Sequence, residues 1–301
     1  YGTYWNPTTL VTAAATSTRA QNIDLTSAVS TNNDIAIGEP LLGFTALPGR
    51  YNAFETATSA GAILGKIQTK VAGTGFSVDV VHINTTKTGV LAGAITVEVS
   101  LLDSSTGGVL DANGCNAAWP VIQSLPNFNI PASGRGTLPA ATVANSYRSV
   151  RFQILSPAGG PFTQIGCSTD LFAIRPASLT ITAWDATWTT AGTSRQLNNL
   201  GASGGNVHKA ATSANPLPFT LRATALPATT TNYNGSPTTV AAFPASGVLG
   251  TNVGTLSFTA GSWTAAASGV SENATTNYSE AGTFNLQLED AGYAIVDAVD
   301  G

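Results

Sequence analysis

Charge is scarce in this chain. Its 301 residues hold 12 Lys and Arg and 16 Asp and Glu, 9% in all, against about 25% in an ordinary soluble protein. The surface must therefore be covered by hydroxyl, amide and small side chains, which leave little repulsion to hold copies of the chain apart. The basic residues are scattered and the formal net charge is −4. That excludes a nucleic-acid partner, which needs a clustered positive footprint. No apolar run approaches the ~20 residues of a membrane-spanning helix. Methionine is absent, the first residue is Tyr1, and the chain stops at Ala298-Val-Asp-Gly. A processed piece of an exported precursor is expected. With two histidines and two cysteines, the residues for a zinc site are missing, and no cofactor is expected.

What is present begins with those cysteines. In an exported chain, Cys115 and Cys167 read as one disulfide. It would close a loop of about fifty residues, for which chain entropy gives about 4 kcal/mol. Two buried free thiols are the alternative.

Short runs with period-two alternation fill most of the chain. They include Ala62 to Val71, Phe76 to Ile83, Ala94 to Leu102, Tyr147 to Leu155 and Leu171 to Ile174, most ending at Gly- or Asn-rich turn signals. A second set comprises Leu179 to Ala183, Phe219 to Leu226, Gly254 to Phe258, Gly282 to Leu288 and Tyr293 to Val296. The Pro- and Gly-rich span from Asn113 to Ala144 reads as a long excursion, and Ala265 to Asn277 as a loop. Residues 1–40 carry too few large apolar residues to form a core. The expected class is all-β: an extended N-terminal arm (1–40) and two tandem Ig-like β-sandwich modules (41–176 and 177–301). Pro176, between Leu171–Ile174 and Leu179–Thr182, marks the seam. A weak internal repeat pairs Lys70 to Val81 with Lys209 to Thr224, and Ser146 to Ile154 with Asn277 to Leu286.

Several stretches carry a family resemblance. Tyr51-Asn-Ala-Phe-Glu-Thr, Gly65 to Val81, Asn145-Ser-Tyr-Arg-Ser-Val-Arg-Phe, Cys167-Ser-Thr-Asp-Leu-Phe-Ala-Ile-Arg-Pro, Asn232-Tyr-Asn-Gly and Tyr278-Ser-Glu-Ala-Gly-Thr-Phe resemble the repetitive β-rich region of MshQ-like proteins. These are large exported bacterial proteins associated with MSHA-type (type IV) pilus clusters. The resemblance covers roughly residues 50–301 and leaves the arm outside. It implies a surface-exposed scaffold linked to pili, adhesion or fibres, and carries no catalytic residue with it.

The chemical constellations are weak. Gly201-Ala-Ser-Gly-Gly, followed by His208, matches a nucleophile-elbow pattern but lacks the strand before and the helix after. His82 sits among valines in a strand. Asp103, Asp111 and Asn113, and at the other end Glu289, Asp290, Asp297 and Asp300, offer oxygens for a hard cation without EF-hand spacing; turn formation explains them as well. Trp184, Trp188 and Trp263 either stack on sugars or pack internally. Asn84-Thr-Thr, Asn273-Ala-Thr and Asn277-Tyr-Ser fit a glycosylation triplet that has little weight in a bacterial protein.

The expected function is therefore non-enzymatic: a subunit of a bacterial surface filament or layer outside the cell. It would self-assemble by strand addition from the arm, with Tyr4, Trp5, Leu10, Val11, Ile23 and Leu25 as the anchoring residues. The other expectation is an adhesin segment that binds surface glycans through the loops of module two.

Overall fold

The computed structural model describes residues 3–6, 9–12, 50–186, 194–197, 218–243, 256–278 and 285–298. The chain divides into two compact units, Tyr1–Ala46 and Leu47–Gly301. In the first, β1 (Thr3–Asn6) pairs antiparallel with β2 (Thr9–Thr12). Tyr4 lies opposite Val11, and Trp5 opposite Leu10. The described part of the expected extended arm is thus a hairpin, its two strands paired with each other; Pro7, next after β1 in the sequence, is a turn signal. Ile23 and Leu25 lie outside the described residues.

The second unit is nearly all β. Its first half holds β3 (Tyr51–Phe54), β4 (Lys70–Val71), β5 (Gly75–Phe76), β6 (Asp79–His82), β7 (Ile95–Asp103), β8 (Val121–Ser124), β9 (Phe128–Ile130), β10 (Arg135–Thr137), β11 (Ala141–Thr142), β12 (Tyr147–Ser156), β13 (Gln164–Cys167) and β14 (Phe172–Arg175). Strands β10, β6 and β3 make one sheet. A larger one runs β4-β14-β12-β7-β8, with β13 also on β12 and β9 also on β7. One apolar cluster collects Tyr51 and Val80 from the first sheet with Val99, Leu101, Phe152, Ile154 and Phe172 from the second. Alternation along β7 and β12 supplies that inner face. At one point the sheets nearly touch: a Cβ on Gly166 of β13 would lie 2.5 Å from the Tyr51 carbonyl oxygen.

The second half holds β15 (Ser178–Ala186), β16 (Ser194–Leu197), β17 (Phe219–Leu226), β18 (Thr238–Phe243), β19 (Leu256–Ser257), β20 (Trp263–Ala267), β21 (Val270–Tyr278) and β22 (Asn285–Glu289). A sheet runs β16-β15-β17-β21-β19, with β20 also on β21, and β18 pairs with β22. Among the described residues its core centres on Phe219, Leu221, Ala223, Tyr233, Trp263 and Tyr293.

Five expectations need correction. Ala62 to Val71 is strand only at Lys70–Val71, because side chains take its backbone groups: Asp170 Oδ2 accepts from Ile67 N at 2.6 Å, Glu55 Oε1 from Gln68 N at 3.0 Å, and Asn52 Nδ2 donates to the Ile63 carbonyl at 2.8 Å. Asn113 to Ala144 is no excursion; it carries β8 to β11, short because Pro126, Pro131 and Pro139 interrupt them. Ala265 to Asn277 is the β20–β21 hairpin. Its polar residues hid the strand, since Ser271 and Asn273 are buried and donate to the Gly235 and Thr259 carbonyls at 2.7 and 2.8 Å. Tyr293 to Val296 belongs to two 3-10 turns, Ala291–Tyr293 and Ile295–Asp297, the first capped by Asp290. The repeat also fails in its second pair: Ser146 to Ile154 leads into and follows the single strand β12, whereas Asn277 to Leu286 ends β21 and enters β22 in a different sheet.

Candidate functional site

Among the described residues of the second unit, side-chain hydrogen bonds gather at the joint between its halves. Strand β14 ends at Arg175 and β15 begins at Ser178, so only Pro176 and Ala177 connect them. Arg175 folds over this connection and its Nη1 donates to the Pro176 and Ala177 carbonyls at 2.9 and 3.3 Å. Backbone bonds fasten both sides: Ala72 N to the Arg175 carbonyl at 2.9 Å, and Ala177 N to the Leu226 carbonyl at 2.8 Å.

Around the connection, the residues that precede or begin β12 meet the Asn232-Tyr-Asn-Gly stretch. Asn145 Oδ1 accepts from Ser146 N and from Asn232 N, each at 2.9 Å, and its Nδ2 donates to Thr231 Oγ1 at 2.9 Å. Thr229 Oγ1 donates to the Ala144 carbonyl at 3.0 Å. Arg148 Nη2 donates to Asn234 Oδ1 at 3.1 Å, and its guanidinium lies 5.3 Å from the Tyr293 ring centroid. Tyr293 stacks on Tyr233 at 5.6 Å, whose hydroxyl donates to Asp290 Oδ2 at 3.0 Å. Burial and the Asp290 carboxylate push the Tyr233 phenol far above its usual range, so it stays a donor. At the far side Asp297 Oδ2 accepts from Ala173 N at 3.1 Å and from the Thr69 hydroxyl. Asn145, Arg148 and the Asn232 stretch were visible in the sequence without a role. Tyr293 and Asp297 were missed as joint residues because the first was read as strand and the second as a cation ligand.

One strand away lies the disulfide. Cys115 and Cys167 are bonded, with Cα atoms 5.2 Å apart. They pack with Leu102 and Trp119 in a satellite cluster. Asp111 Oδ1 accepts from Asn113 N at 2.8 Å and Cys115 N at 2.9 Å, which shapes the turn that delivers Cys115. Trp119 Nε1 donates to the Gly107 carbonyl at 2.7 Å. The buried Arg151 guanidinium sits over Trp119 and donates to the Ser168 and Thr169 carbonyls.

His82 is buried in the first core's rim. Its ring stacks on Tyr51 at 4.9 Å, and Nε2 lies 3.1 Å from Gln164 Oε1. With Oε1 as acceptor, Nε2 carries the proton and Nδ1 is bare; Nδ1 has no partner among the described residues. Burial lowers the His82 pKa. The Tyr51 hydroxyl is 2.7 Å from Ser156 Oγ and 3.2 Å from Gln164 Oε1. These contacts pair the Tyr51 hydroxyl and His82 Nε2.

The remaining candidates separate. Gly201 to Gly205, His208 and Trp188 lie outside the described residues. Trp263 is core, 8% exposed and edge-on to Phe258 at 5.7 Å. Trp184 is half-buried on the outer face of β15. Asn273 is fully buried. Asn84 Oδ1 caps its own turn, accepting from Thr88 N at 2.9 Å. Among the described residues no group of three or more His, Cys, Asp or Glu side chains is placed to hold a metal ion, and no helix is long and apolar enough to cross a membrane. No family model, curated protein or solved structure matches the chain significantly.

Proposed function

We propose that this protein is a non-enzymatic building block of a bacterial surface fibre or layer, with two Ig-like modules in a fixed relation and an N-terminal unit that engages a neighbouring copy. The observation that carries this reading is that residues 1–46 form a unit of their own. The described part of that unit is a hairpin with Tyr4, Trp5, Leu10 and Val11 in register. A two-stranded hairpin is marginal in water, and aromatic anchors concentrate interface energy; such a hairpin gains most by seating on another sheet edge.

Three further observations support the reading. The sparse charge offers little resistance to association. The disulfide belongs to an oxidising compartment, in line with a place at the cell surface. The two-residue connection and the Asn145–Asn232 hydrogen bond tie successive modules together, as a fibre under tension requires.

Sedimentation velocity of the full chain over a range of concentrations tests the proposal. Concentration-dependent polymers that vanish when residues 1–46 are deleted are expected. A full chain that stays monomeric throughout contradicts it.

A further inference from the structure

The outer face of the second module's sheet carries an ordered polar row. Core residues Leu221 and Ala223 point inward, so their alternating neighbours on β17 point outward. In register across four strands stand Thr182 on β15, Arg222 on β17, Glu272 on β21 and Thr264 on β20. Arg222 donates through Nε to Glu272, and both side chains keep contact with solvent, at 30% and 24% exposure. Next to this row, Trp184 lies with its ring centroid 4.0 Å from the Arg222 guanidinium, and its Nε1 donates to Thr182 Oγ1 at 2.9 Å. The indole is therefore held from two sides on an exposed face, at the cost of leaving an aromatic ring partly in water.

The geometry points to a binding site for a neutral polysaccharide on this face, distinct from the module's loops. Arg222 and Glu272 compensate each other, so the row has fixed donors and acceptors without a net field, which suits hydroxyls rather than an acidic ligand. Threonine hydroxyls at both ends extend the pattern. Strands are spaced about 4.8 Å apart, the scale of a sugar ring, so successive rings can meet successive side chains. Arg222 covers part of the indole, and the part left open to solvent offers an apolar surface for the C–H face of a pyranose.

Affinity electrophoresis of the full chain tests the site, with laminarin, xylan and galactomannan as probes and alginate as the polyanion control. Retardation by at least one neutral polysaccharide, insensitive to high salt, is expected. Trp184→Thr should weaken it about tenfold or more, the scale of one lost stacking contact, and Glu272→Gln should also weaken it. Threonine already populates this face, so Trp184→Thr keeps the fold; the exposed Thr264→Val, at the end of the row, is the second variant and should weaken retardation without touching the core. Retardation by none of the neutral probes, retardation by alginate alone, or wild-type binding by both Trp184→Thr and Thr264→Val overturns the proposal.

Discussion

Asn145 and Asn232, one from each half of the second unit, are joined by a 2.9 Å hydrogen bond from the Asn232 backbone N–H to the Asn145 side-chain oxygen. The same amide caps Ser146 and reaches Thr231, so one side chain serves three bonds at the joint.

Asn145→Ala removes all three. A net hydrogen bond contributes about 1 kcal/mol, and Arg148 and Tyr293 remain, so a loss of roughly 1–3 kcal/mol is expected. Differential scanning calorimetry should show the two halves beginning to melt separately. A single transition at the wild-type temperature would show that the joint does not couple them.

Gly235 lies where an added methyl would collide with Asp290 Oδ2 and the Tyr233 ring. Gly235→Ala should therefore displace Asp290 from the Tyr233 hydroxyl. The expected result is a loss on the order of 1–3 kcal/mol, with a changed tyrosine near-ultraviolet circular dichroism signal. An unchanged signal and stability would mean that the Tyr233–Asp290 contact is unimportant.

The disulfide closes a separation of 52 residues. Replacing both Cys115 and Cys167 by Ser should lower stability by about 2–4 kcal/mol, read by urea denaturation. It should act on the first half, because Cys167 ends β13. Equal stability with and without the bond would contradict its role as a clamp.

His82 is held neutral by burial, with a pKa below its ordinary value. The unfolded chain therefore binds more protons than the folded one between the folded pKa and about 6.5. The contribution of neutral His82 is present above pH about 6.5 and is lost as pH falls toward the folded pKa. A His82→Gln variant should lose less stability than the wild type between mildly alkaline and mildly acid solution. Identical pH dependence in both proteins would remove His82 from the account.

The strands that could be read from the sequence were those with apolar alternation and little side-chain competition. Phe219–Leu226 and Tyr147–Ser156 are of this kind. Where carboxylates and amides capture the backbone, as around Ile67, alternation without a ladder misled. Where buried Ser271 and Asn273 carry the inward face, polarity hid a real strand. The joint was legible only as the Pro176 seam. Its chemistry depends on partners far apart in the chain, Arg148 with Asn234 and Ala173 with Asp297, and no local pattern brings such pairs together. The tryptophans show the same limit: Trp263 and Trp184 look alike in sequence, and only their strands' faces send one into the core and the other outward.

Self-assembly is proposed to run through the N-terminal unit. Negative-stain electron microscopy of the full chain beside a chain lacking residues 1–46 tests it most directly. Filaments or sheets with a regular subunit repeat are expected from the full chain, and dispersed, folded particles from the truncated one. Polymers of unchanged geometry without residues 1–46, or only dispersed particles from the full chain, would contradict it.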